Sequence, residues 1–159
     1  GVTIKTSNAS TTSSTAQSYT TRRYDSAKFV DLTESTATTF CTIGVAAATY
    51  IGARLVATVF SSDGTDHQAL TTTLNINAIA KTTTVTATVT AVDGTTAASA
   101  GTLTATYTVV DSGANTVQIK CNAVSSLTQT TLRVKWSLDV LNSNGVDTSL
   151  TTGSLVTPS

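Results

Sequence analysis

Between residues 132 and 140 the apolar side chains fall on every second position. Leu132, Val134, Trp136, Leu138 and Val140 alternate with Arg133, Lys135, Ser137 and Asp139. A period of two marks a strand with one buried and one wet face. At ~3.3 Å per residue this strand reaches ~30 Å, long for a globular domain. The same alternation recurs upstream. Residues 28–32 read as a short strand. Residues 35–43 follow, with Ala37, Thr39, Cys41 and Ile43 on one parity. In 54–61, Leu55, Ala57 and Val59 share one face while Val56 and Phe60 lie on the other. A strand apolar on both faces is covered on both, so Val56 and Phe60 are the candidate subunit interface.

Residues 67–80 carry Leu70, Leu74, Ile76, Ala78 and Ala80 in phase. Residues 82–92 set Val85, Ala87, Val89 and Ala91 against four threonines, and 102–110 set Leu103, Ala105, Tyr107 and Val109 inward. Val117, Ile119, Cys121 and Ala123 form the next inward row. Between these runs stand Asp63-Gly64, Asp93-Gly94 and Asp111-Ser112-Gly113. Each is a turn signal, and Asp-Gly between alternating runs is a strong hairpin signal. At least six strands in series with short connections predict an all-β, antiparallel β-sandwich, jelly-roll-like, with an up-and-down meander as the competing arrangement.

The ends differ. Residues 1–20 are nearly all Ser, Thr, Ala, Asn and Gln after a short apolar patch at Val2 and Ile4. Such a segment buries too little to offset its ordering entropy, so it reads as an extended arm ordered against a partner. Val2, Ile4, Arg22 and Arg23 are the candidate anchoring residues. The domain is expected over 21–141, with a polar tail over 142–159. Asn8-Ala9-Ser10 matches a glycosylation acceptor, an accidental match in so Ser-rich a segment.

Composition sharpens this picture. Threonine supplies about a quarter of the chain, and its β-branched side chain favours pleated surfaces. Charged residues make up only 11%, with nine of each sign. A nucleic-acid binder needs an excess of Lys and Arg, so no nucleic-acid partner is expected. No apolar run approaches the ~20 residues of a membrane span. A weakly charged surface resists association poorly, which points to a homo-oligomer living inside an assembly.

Candidate chemistry is sparse. His67, the one histidine, stands beside a turn and reads as exposed rather than catalytic. Asp63, Asp66, Asp93 and Asp111 sit at turns, where Asp caps its own backbone, and no calcium-loop spacing links them. Cys41 and Cys121 lie on inward parities. They are either a disulfide or two buried thiols, and the reading leans to thiols. Trp136 shares the parity of Val134 and Leu138, so it reads as core rather than as a sugar platform. No catalytic, metal or cofactor site is expected, and an enzyme is the last of the readings.

Two segments carry a resemblance: Val59-Phe60-Ser61-Ser62-Asp63-Gly64-Thr65-Asp66-His67-Gln68, and Asn122-Ala123-Val124-Ser125-Ser126-Leu127-Thr128-Gln129-Thr130-Thr131-Leu132-Arg133-Val134. Both resemble strand-turn-strand elements of structural proteins of tailed bacteriophages, over roughly 28–141. The resemblance implies a β-sandwich domain of a virion part, such as a capsid decoration protein, a head fibre or a tail appendage. It also implies trimers, other virion proteins as partners and a place in the virion. No functional residue carries over. The competing expectations are an extracellular filament subunit assembled by strand donation and a receptor- or glycan-binding appendage module.

Overall fold

The computed structural model describes residues 22–26, 28–143 and 156–158. Ten strands run through them in order: β1 (Arg22–Asp25), β2 (Val30–Asp31), β3 (Thr38–Gly44), β4 (Thr49–Ser62), β5 (His67–Ala80), β6 (Val85–Ala98), β7 (Leu103–Gly113), β8 (Thr116–Ser125), β9 (Thr131–Ser143) and β10 (Val156–Pro158). They form two antiparallel sheets. The first has the order β1-β9-β4-β5-β6, with β2 also paired to β9; the second has the order β10-β3-β8-β7. The expected all-β sandwich is therefore present, and no helix occurs among the described residues. The chain passes from one sheet to the other between β2 and β3, β3 and β4, β6 and β7, β8 and β9, and β9 and β10, as a sandwich of two sheets requires. The β4-β5-β6 meander stays within one sheet and departs from the jelly-roll plan.

The core of the first sheet is built in rows across the strands. Leu138, Leu55, Leu74 and Ala91 form one row, and Trp136, Ala57, Thr72 and Gly94 the next. Val134, Val59, Leu70 and Thr96 form a third. Leu55, Leu74 and Leu138 are fully buried, each contributing ~1.5–3 kcal/mol of transfer free energy. Ala57 leaves room for the indole beside it. Trp136 is 3% exposed, and its Nε1 donates to the Phe40 carbonyl oxygen at 3.0 Å across the sheets. In each of these three rows the side chain shrinks at the last step, from β5 to β6.

Three local expectations are corrected. Asp93-Gly94 does not turn the chain: Asp93 pairs with Thr73 and Gly94 with Thr72, inside β6. Val92 is an extra residue opposite the Thr73–Leu74 step, a β-bulge. The true connection lies at residues 99–102. Gly101 there has φ +67°, and a Cβ on it would lie 2.1 Å from Ser126 Oγ. Likewise the β7–β8 turn falls at Ala114 and Asn115, with φ of 51° and 60°. Positive φ at both central residues is the type I′ hairpin pattern, here without the usual glycine. Asp111 and Ser112 instead belong to β7. Finally, a register shift between Thr39 and Cys41 turns both Phe40 and Cys41 inward. Strict alternation had left Phe40 outside.

Beyond residue 141 the sandwich continues. β9 runs to Ser143, and Val156–Pro158 pairs with β3 at the edge of the second sheet. An edge is where a strand tolerates proline.

Candidate functional site

The flank between β6 and β7 is open. β6 ends the first sheet and β7 ends the second, so neither outer backbone edge is paired among the described residues. The inner face of β6 is covered at Val85 and half-buried at Ala87 and Val89. From Ala91 onward both of its faces are exposed. The cause is the shrinking of each row, to Ala91, Gly94 and Thr96. A cleft of about 460 Å³ results, lined by Leu70, Thr72, Ala91, Gly94, Leu103 and Ala105 among others. Asp93, the single charged residue of β6, stands at its rim. Beyond Thr72 the Tyr107 ring packs edge-on to Phe40 at 6.1 Å. Burial pushes the Tyr107 hydroxyl pKa up, and that hydroxyl makes no well-formed hydrogen bond beside Thr72 and Cys121.

A polar network closes the end of the sandwich next to the cleft. Gln68 is buried; its Nε2 donates to the Ala100 carbonyl oxygen at 2.8 Å and its Oε1 accepts from Ser125 Oγ at 2.7 Å. Ser61 Oγ donates to Ser125 Oγ at 3.0 Å. Glu34 accepts from Ser125 N and from Gln129 Nε2. Six segments are tied together by these bonds, and those of Ser61, Gln68 and Ser125 satisfy groups that burial would otherwise leave unpaired. Gln68, Ser125 and Glu34 were not singled out from the sequence. Gln68 shares the parity of Leu70 and Leu74, which was the available signal.

The outer face of the first sheet carries the candidate interface. Val56 is 37% exposed there, and Tyr50 (42%) pairs in register with Ile79 (56%). Phe60 is half-buried by its own chain: His67 stacks on it at 6.0 Å, and the Arg133 guanidinium lies 5.6 Å from its ring. Arg133 also sits 4.2 Å over the Phe29 ring. Val56 and Phe60 share this face of β4, four residues or ~13 Å apart along the strand. Arg22 and Arg23 pair along β9 opposite Val140 and Asp139. Val2 and Ile4 lie outside the described residues.

The candidate chemical groups serve the fold. Asp63 Oδ1 accepts from the Thr65 and Asp66 amides at 2.9 and 2.7 Å, and these bonds hold its carboxyl pKa below the ordinary value. Ser99 Oγ donates to Asp66 Oδ1 at 2.7 Å. Asp111 accepts from Val85 N and Gly113 N. Cys41 and Cys121 are both free and fully buried. Burial raises both thiol pKa values, that of Cys121 to about 12. Among the described residues no three His, Cys, Asp or Glu side chains converge as metal ligands.

The fold and this flank define an antiparallel β-sandwich with one unfinished side. No family model matches the chain, and no curated protein matches it. Among solved structures it is similar to a tailspike protein of Acinetobacter baumannii phage AM24, with a TM-score of 0.49 and 10% identity, over 87% of this chain. The chain spans 28% of that protein's length.

Proposed function

We propose that this chain is a non-catalytic structural subunit of a virion, a decoration protein, head fibre or tail appendage, working as a homo-oligomer. The observation that carries the reading is how the surface is spent. The aspartates tie down turns and strand ends and the histidine covers Phe60, while Val56, Tyr50 and Ile79 stand open on one sheet face, on which Arg54 is paired in register with Asp139. Exposed apolar side chains gathered on one face mark a protein contact. The bacteriophage resemblance of the 59–68 and 122–134 segments favours a virion as the assembly. In this reading residues 1–20 are the anchor, Val2 and Ile4 fill small pockets where the arm docks, on a partner's sheet edge or along the particle surface, and Arg22 with Arg23 meets acidic groups at the base of the domain.

Light scattering on the full chain tests the association, with a trimer expected. Val56→Lys and Ile79→Lys are surface changes that leave stability within about 0.5 kcal/mol, yet they reduce the oligomeric mass. A chain that stays monomeric at high concentration overturns the reading. Electron microscopy of particles carrying the chain then tests its placement: Ile4→Asp is expected to lower occupancy.

A further inference from the structure

The open flank has the features of an acceptor for one more strand. β6 and β7 are fourteen and eleven residues long, and each carries a single charged residue and no proline. Natural sheet edges are guarded by charges, prolines or short length. Here Asp93 and the bulge at Val92 are the only such devices on β6, and they leave the edge from Gly94 to Ala98 regular and uncharged. Beside that edge lies the cleft, whose apolar lining from Leu70, Ala91, Leu103 and Ala105 is half-open. An edge offering main-chain hydrogen bonds next to a pocket for alternate side chains is the arrangement used in β-strand addition.

We infer that this flank receives the N-terminal segment of a neighbouring copy, with Val2 and Ile4 entering the cleft beside β6. The inference rests on the associating role proposed above and specifies its contact. Val2-Thr3-Ile4-Lys5 has the period-two pattern of a donated strand. Lys5 follows on the other parity, which is that of Asp93 on the outer side of the sheet, so the charges match. The position of the arm's root places it nearer to a neighbour's acceptor than to its own. β1 pairs at the edge of the first sheet opposite β6, four strand spacings or roughly 19 Å away. In a copy set edge to edge, β1 of one subunit lies next to β6 of the next, and the arm begins beside its acceptor. Twenty residues reach ~66 Å when extended, so the span is available. The contact is heterologous and closes into a ring or continues as a filament according to the rotation per subunit.

Single-cysteine variants of the full chain test it. Ile4→Cys is mixed with Ala91→Cys, Thr96→Cys or Ala98→Cys and oxidised; the native thiols are buried and stay silent. A disulfide-linked heterodimer from at least one mixture is expected, as is a fall in oligomeric mass for Ile4→Asp and for Thr96→Lys. A Thr58→Cys variant on the outer face is the control and should give none. Three outcomes overturn the inference. One is an absence of heterodimers from all three mixtures while light scattering shows an oligomer, which leaves the associating role standing. Another is closure of the Ile4→Cys/Thr96→Cys double variant within a monomer, which assigns the cleft to the chain's own arm. The third is homodimers of Thr96→Cys alone, which assigns the edge to β6–β6 pairing. A chain monomeric throughout removes the associating role as well.

Discussion

β5 and β6 are neighbours of equal length, both fourteen residues, both rich in threonine and both alternating. Their fates differ. β5 buries Leu70, Leu74, Ile76, Ala78 and Ala80 along its whole inner face, whereas β6 buries Val85 alone. Periodicity fixes which face turns inward, but side-chain volume determines whether that face is dry. Leu74 meets a packed row; Ala91, its register partner, ends one. Sheet packing needs enough apolar bulk to span ~10 Å between sheets, and Ala91, Gly94 and Thr96 do not supply it.

The largest effect expected is on the β5 side. Leu74→Ala removes a fully buried side chain and should cost ~2–5 kcal/mol, while Thr96→Ala on β6 should stay within about 0.5 kcal/mol. Chemical denaturation of both variants measures the contrast; equal losses would mean that β6 is as well packed as β5. Next comes Gln68→Leu, which keeps the bulk on β5 but deletes the donor to Ala100 and the acceptor for Ser125. A loss of about 1–3 kcal/mol is expected from the polar groups left unpaired; a neutral result would mean that water replaces the amide. The smallest change is a gain. Gly94 has no left-handed φ, and a Cβ there would meet nothing closer than 3.9 Å. Gly94→Ala should therefore stabilise the domain by roughly 0.5 kcal/mol through the lower entropy of its unfolded chain. A melting temperature that falls would show the cleft to be tighter than its walls imply.

The same contrast explains what could be read from the chain. β5 was legible to the residue because Leu70, Leu74 and Ile76 are large and in phase, and the body of β9 because Trp136 and its neighbours are, though not its continuation to Ser143. Asp93-Gly94 misled because a hairpin dipeptide and a strand bulge look alike locally; the pairing of β6 with β5, a tertiary fact, decides between them. Phe40 was misplaced for the same reason, a bulge that breaks parity by one. The rows that thin toward β6 require the register of four strands at once, so the open flank was invisible from any single stretch. The exposure of Val56 was readable from its wrong-face parity, and the cover that Phe60 takes from Arg133 and His67 was not, because those residues come from two other strands.

The two sealed thiols have a bearing on ageing. The chain contains no methionine and two cysteines, so Cys41 and Cys121 are its entire stock of sulfur. Both stay protonated and away from solvent, and oxidants attack the thiolate. Peroxide in the surroundings thus finds no sulfur to convert unless the sandwich first opens, and the chemical lifetime of these thiols is set by the rate at which the sheets separate.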